Sequence, residues 1–333
     1  MKAICYRNTK TNLPGWVNTV HVEQKYGYAY ETPTHFVHFY GKEPYYIISV
    51  GLTTIEGKAG YSSLEDWARQ RFGAEEIKEM LHDVGHTVEG VWRPSLYYWE
   101  DTCSALNVKT SEQVAQEQSI RLLVQELDNL LFYIDPSAEG LESYSHKTRE
   151  LLIISCTEVE NQWRSFFQRN NSVPQNGRFF TTTDYVKLLT KLYLNDYYIK
   201  LRTSSFSDKI VPFLSWNITN PTTSLVWYNA YNKTKHDRYN NFNQAKLKYV
   251  VDSIAANIIL YAVQYSPLAL INNTNVFSAT INQMFSIEME NADICSFYLP
   301  ELNTSVIERQ DCFVCDSYRE KLNKEWIVDS LVL

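Results

Sequence analysis

Trp227-Tyr-Asn-Ala-Tyr-Asn-Lys-Thr-Lys-His-Asp-Arg238 is the stretch on which the reading of the fold turns. Its rings, Trp227, Tyr228 and Tyr231, come first. Asn232, Lys233, Lys235, His236 and Arg238 then crowd together, with Asp237 the one acid among them. On a helix Asn232 and His236 lie four apart and share a face. Trp227 and Tyr231 would supply apolar anchoring or a stacking surface beside them. Histidine gives and takes protons near neutrality, and Lys or Arg can offset charge that develops on phosphorane oxygens. These are the parts for metal-independent RNA cleavage, in which a 2′-hydroxyl attacks the adjacent phosphate. The plainer alternative is a solvated corner between two helices. There the cations favour the helix macrodipole and His236 caps the last carbonyls.

The segment sits in a predicted helix Thr223–Arg238, led in by Asn220-Pro-Thr-Thr-Ser224. A polar turn, Tyr239–Asn241, separates it from a second helix, Asn243–Tyr265, with Leu247, Val250, Val251, Ile254, Ile258 and Val263 facing inward. Lys246 and Lys248 open that helix and add to the basic character of the corner. Upstream, Thr110-Ser-Glu-Gln113 fits a capping box, followed by Ile120, Leu123, Leu127, Leu130 and Leu131 at helical spacing, with Pro136 as the stop. Ser145–Gln168 carries a stripe of Leu152, Cys156, Val159, Trp163 and Phe166. A shorter helix is expected at Thr183–Leu192 and an extended, aromatic-rich link at Asn195–Trp216. Four long helices joined this way suggest an antiparallel bundle.

The chain therefore divides into three zones, giving an α+β protein. Residues 1–106 read as a β-rich domain, a sensor or docking module, with strands at Thr34–Tyr40, Pro44–Val50 and Thr87–Trp92. A helix, Ser63–Leu81, interrupts them and stops at Gly85. Residues 107–265 form the helical bundle. Residues 266–333 read as an extended cap with short apolar runs at Asn275–Ile281 and Cys295–Leu299. Its last part, Ser317–Leu333, reads as a short helix and an apolar tail.

The 333 residues are 44% hydrophobic and 21% charged, enough for a sizeable core. With 24 Tyr against 11 Gly, the chain packs on large amphipathic rings and should be ordered. A net charge of −7 argues against a surface coated for nonspecific nucleic-acid binding and leaves room for a local basic site. Met1–Lys10 is polar and resembles no secretory leader. Ile254–Val263 is too short to span a bilayer. A cytoplasmic protein with no membrane partner is expected, and its six scattered cysteines read as reduced thiols.

The segment W-Y-x-A-Y-N-x-x-K-H-D-R resembles one found in a group of bacterial proteins. The likeness extends to Ser145-His146-Lys-Thr-Arg149-Glu150, Thr157-Glu158-Val-Glu160 with Trp163, Thr183-Asp184-Tyr185 and Pro212-Phe213, and covers roughly residues 141–264. That group is similar to the HEPN superfamily of four-helix bundles. Its members are usually dimeric and are often RNases of toxin–antitoxin, abortive-infection or CRISPR-linked systems. Their signature is an Arg followed by four to six residues and a His, often R-N-x-x-x-H, at the end of the third long helix. Asn232-Lys-Thr-Lys-His236 reproduces the N-x-x-x-H part. The positions where the Arg belongs hold Asn229, Ala230 and Tyr231, so Arg238, Lys235 or Arg149 substitutes, or the site is degenerate.

The resemblance thus implies a metal-independent endoribonuclease of antiviral defence or stress, without cofactor. His236, Asn232 and Arg238 would be catalytic, and Lys233, Lys235, Trp227, Tyr231 and Arg149 would hold RNA, tRNA included. The alternative is an inactive dimerisation or interaction subunit of a defence complex. In either case a homodimer or a partner protein is expected. Glu158 and Glu160, two apart on one helix, face different directions. One of them can turn inward toward Arg149 or His236, and Glu160 reads better as surface charge.

Other candidate sites are weaker. His82-Asp-Val-Gly-His86 has Asp where the zinc-protease motif needs Glu, and Gly85 interrupts the helix that would align both histidines. His35 and His38, three apart on a strand, point to opposite faces. Cys312-Phe-Val-Cys315 could bind zinc only with a second pair of ligands, of which Cys295 could supply one. No glycine-rich phosphate loop, G-x-S-x-G or kinase motif is present.

Overall fold

The computed structural model describes residues 1–10, 25–42, 47–96, 99–202, 208–272, 275–315 and 324–333. It is a mixed α+β structure whose chain separates into two compact units. One comprises 1–89, 93–105 and 291–329; the other comprises 90–92, 106–290 and 330–333. The long stretch of the second unit begins at Leu106. The stretch 266–333, expected as one cap, divides between them.

The first unit is built on an antiparallel sheet. Strands β1 (Ala3–Arg7), β2 (Tyr26–Glu31), β3 (His35–Lys42), β4 (Ile47–Gly57) and β5 (Glu75–Glu79) lie in the order β5-β1-β2-β3-β4, and Phe313–Cys315 pairs outside β4. Helix α1 (Leu64–Phe72) packs on it through Trp67, which stacks on Phe36 at 5.1 Å between ring centroids. Glu56 is buried beneath this helix and is fully used there. It accepts from Trp67 Nε1 at 2.5 Å, Tyr61 Oη at 3.0 Å and the Arg71 guanidinium. A buried carboxylate is tolerable only with such partners.

The helix expected over Ser63–Leu81 ends early. Gly73, at φ 61°, takes the left-handed conformation that closes α1, and its N–H returns to Arg69 O and Ala68 O. The chain then reverses into β5 against β1. Of the expected strand Thr87–Trp92, only His86–Val88 is formed, pairing in parallel with Ile327–Asp329. The first part of Pro44–Val50 and residues 317–323 of Ser317–Leu333 lie outside the described residues; a strand, not a helix, occupies Ile327–Asp329.

The second unit is helical. Its main helices are α2 (Thr110–Leu131), α3 (His146–Arg169), α4 (Val226–His236), α5 (Leu247–Tyr265) and α6 (Val276–Met284). Helix α5 is apolar on all sides and almost wholly buried, the pattern of a central helix. It packs on α2, α3 and α4, while α3 also contacts α2 and α4. The expected stripes on α3 and α5 are buried, as are Ile120, Leu123, Leu127 and Leu130 on α2. Asn257, the polar break in the apolar run, is satisfied by donating to Ser155 O at 3.0 Å and Ser253 O at 2.9 Å, and accepts from Gln162 Nε2 at 2.6 Å.

Three local expectations differ here. The capping box is at Ser145 and Thr148, opening α3. At α2 the cap is Lys109, with no side-chain bond; Gln113 turns sideways to Tyr261 Oη and Glu117 instead. Thr183–Leu192 is split into two short turns, Thr182–Tyr185 and Leu188–Lys191. Asn275–Ile281, expected extended, lies mostly in α6, because Asn275 caps it in a reciprocal box with Ser278. The aromatic link contains a strand, Tyr197–Leu201, paired with Phe285–Met289. Among the described residues no helix is long and apolar enough to cross a membrane.

Candidate functional site at the end of helix α4

The sequence of α4 sorts its side chains by helical period. Trp227, Tyr228, Tyr231 and Thr234 recur at three- and four-residue spacing and are buried, while Lys233, Lys235 and His236 are exposed and Asn232 is half-buried. Trp227 is 2% exposed. Its Nε1–H donates to Pro212 O at 2.8 Å, and its ring lies among Trp163, Phe213 and Tyr228. Tyr231 is fully buried. Neither ring offers a face to a ligand, so the expected stacking role of Trp227 and Tyr231 is corrected to a core role. Tyr228 reaches α3, donating to Glu160 Oε1 at 2.6 Å. Glu160 is therefore an inter-helix acceptor and not plain surface charge.

The open end of α4 is held by the neighbouring helix. Arg149, in the first turn of α3, donates from Nε and Nη2 to Thr234 O at 3.2 and 2.9 Å. A cation on the last carbonyls of a helix is favourable both as a hydrogen bond and toward the macrodipole. Arg149 thus does what the plainer reading assigned to His236. The imidazole of His236 is exposed and makes no hydrogen bond to the protein among the described residues; the half-buried Asn232 amide makes none among them either.

Asp237 breaks the helix. Its carboxylate accepts from Asn240 N at 3.2 Å and Asn240 Nδ2 at 2.8 Å, which start the next turn, Arg238–Asn241, and hold it below the usual carboxylate range. Arg238 Nη2 lies 3.2 Å from His146 Nδ1, a hydrogen bond in which the guanidinium donates. Phe242 supports both, its ring 4.8 Å from that of His146 and 5.7 Å from the Arg238 guanidinium carbon. Lys235 Nζ donates to Tyr231 Oη at 2.6 Å, a contact that raises the lysine. Lys246 and Lys248, expected to add positive charge, are both paired with Glu142.

The structure thus gathers His236, Arg149, Arg238, Lys233 and Lys235 around one corner and excludes Trp227 and Tyr231. It adds His146, which was not singled out in the sequence. The signal was there: His146 lies three before Arg149 in the turn that Ser145 caps, so both point to one helix end. Chemically, the corner offers an unengaged imidazole, a second imidazole bonded to Arg238 and several guanidinium or ammonium donors. That set can bind an anion and move protons.

Elsewhere, His82 and His86 sit in a turn and a strand, not on one helix. Burial and Arg93 hold His82 below its ordinary value, and His86 Nδ1 pairs with Asp329 at 2.9 Å. His35 is bonded to Arg309 O at 2.7 Å, and His38 stacks on Phe72 at 3.7 Å. Cys312 is a free thiol that burial pushes up to about 11. Cys295 lies 3.1 Å from Cys5 Sγ, so it serves that thiol and not a Cys312 site. Among the described residues no group of three His, Cys, Asp or Glu side chains could hold a metal ion. The side chain of Cys315 lies outside the described residues. No family model, curated protein or solved structure matches this chain.

Proposed function

We propose that the α3–α4 corner is the catalytic face of a HEPN-like, metal-independent endoribonuclease acting in prokaryotic defence or stress. The observation that carries this reading is the unengaged, exposed His236 two residues beyond Thr234, whose carbonyl anchors Arg149. The absence of the arginine from positions 230 and 231 has a physical explanation. Ala230 and Tyr231 are buried, so a guanidinium there would enter the core. Arg149 brings one to the same helix end from α3.

In the proposed reaction His236 takes the proton from a 2′-hydroxyl, whose oxygen attacks the adjacent phosphorus. The P–O5′ bond breaks, leaving a 2′,3′-cyclic phosphate and a 5′-hydroxyl. The leaving oxygen is protonated by an imidazolium or by water. Arg149 retains free N–H donors for the phosphate oxygens, and Arg238 and Lys233 add screening charge. General acid–base help of this kind contributes roughly 10²–10⁴-fold.

The test is RNA cleavage by the full-length chain and by His236→Ala. The wild type should cut RNA in the presence of a chelator, and the variant should lose at least about 10²-fold in rate. Equal cutting by both would refute the proposal. The absence of an arginine on α4 itself favours a second reading, an RNA- or partner-binding corner without cleavage. Under that reading the wild type binds RNA and leaves it intact.

A further inference from the structure

Cys5 and Cys295 are 290 residues apart in the chain, yet their Sγ atoms lie 3.1 Å from each other inside the sheet unit. Side chains alternate between the two faces of a strand. On β1, Ile4 and Tyr6 join the core beneath α1 with Phe36, Trp67 and Phe72. Cys5 takes the opposite face, where the returning segment 291–302 lies. That segment is fixed to this face at further points. Phe297 stacks on Tyr28, the residue paired with Cys5 across β1 and β2, at 5.9 Å between ring centroids. Tyr30 Oη donates to Pro300 O at 3.1 Å and accepts from Leu302 N at 2.8 Å. The backbone of Cys295 is held as well: its carbonyl accepts from Leu81 N at 2.8 Å, and its N–H donates to Asp293 Oδ1 at 3.1 Å. The two sulfurs are therefore held together by contacts that do not involve sulfur.

Both cysteines are free thiols. A disulfide needs its sulfurs about 2.05 Å apart, so closure asks for a movement of about 1 Å. We propose that the pair is an oxidative modification site, at which hydrogen peroxide joins Cys5 to Cys295 and fastens the returning segment to β1. The Cys295 thiolate attacks one peroxide oxygen and the O–O bond breaks. The departing hydroxide takes up the proton the thiol released, giving water and a sulfenic acid on Cys295. The Cys5 sulfur then attacks that sulfur, the S–O bond breaks, and the hydroxide leaves with the Cys5 proton as a second water. Two thiols lose two electrons and one peroxide gains them. Burial assigns the roles: Cys295 is 5% exposed and Cys5 is 0% exposed, and Cys5 has only to meet its neighbour's sulfur. Burial pushes both thiols up, and their mutual contact adds to this at Cys5 and opposes it at Cys295. Cys295 is thus the readier thiolate, and the nucleophile is the thiolate. The site lies in the sheet unit and does not rest on the ribonuclease reading.

The experiment treats the folded full-length chain with hydrogen peroxide, blocks the remaining thiols, and maps the peptides by mass spectrometry without reductant. A linked Cys5–Cys295 peptide should appear, and dithiothreitol should return both thiols. Because the link closes a long loop in the unfolded chain, the urea midpoint of the oxidised protein should lie above that of the reduced protein. Peroxide should leave the midpoint of Cys295→Ala unchanged. In Cys5→Ala the reaction should stop at the sulfenic acid, trapped by dimedone on Cys295. The linked peptide from the wild type decides the matter if either variant fails to fold. Cys5 and Cys295 both recovered as blocked thiols after peroxide, either one linked to a different cysteine, or an oxidised protein with the urea midpoint of the reduced one would overturn the assignment.

Discussion

Trp227 and His236 are nine residues apart on one helix and have opposite fates. The indole is enclosed by Trp163, Phe213 and Tyr228 and hydrogen-bonded to Pro212, while the imidazole stands in solvent. Trp227→Ala should therefore act on stability. The expected cost is about 3–5 kcal/mol, read as a shift in the urea midpoint. A variant of wild-type stability with weakened RNA binding would restore the stacking role. From the sequence, the polar half of this segment was legible as a candidate site because charge and imidazole cluster there. The aromatic half was not, since an amphipathic ring serves a core and a binding face equally well. Arg149 could be proposed as the substitute cation, but its bond to Thr234 O depends on two helices meeting, which spacing along one chain does not reveal.

At the scale of the element, termini decided the outcomes. Short apolar runs do not separate strand from helix by period alone, and the cap settled Asn275–Ile281: Asn275 bonds to Ser278 N at 2.8 Å. The Thr110–Gln113 pattern is a valid capping signal, but Gln113 is drawn away by Tyr261 at 3.0 Å. Helix α1 ends where Gly73 can adopt φ 61°, and an added Cβ there would also crowd Thr9. Gly73→Ala should destabilise the sheet unit by about 1–2 kcal/mol, measured by thermal or urea unfolding. An unchanged midpoint would show that the left-handed turn is not what stops the helix.

For the whole molecule, the helical core carries an ionisable group whose titration should be visible in global stability. Burial raises Asp252, on α5, to about 7, with Lys248 opposing. Between the ordinary carboxylate value near 4 and about 7, the folded chain holds a proton that the unfolded chain has released. The protonated form is thus favoured by folding, and this contribution is complete at low pH and lost as pH rises toward 7. Wild type should lose about 2–3 kcal/mol relative to Asp252→Asn between pH 5 and pH 8, by urea denaturation of both proteins. A constant difference across that range would mean Asp252 titrates normally. Assembly at this scale was the least legible in sequence. The boundary near 106 follows a change from alternating to helical patterning. The return of residues 291–329 to the sheet unit depends on pairings such as Phe313–Cys315 with β4, whose partners lie hundreds of residues apart.

The same scale frames the proposed activity, a basic corner on a chain of net charge −7. Its most direct test is end-group analysis of RNA incubated with the full-length protein and a chelator. Fragments ending in 2′,3′-cyclic phosphate and beginning with 5′-hydroxyl, absent with His236→Ala, are the predicted result. Fragments ending in 3′-hydroxyl, or cleavage that stops when divalent metal is removed, would contradict the account.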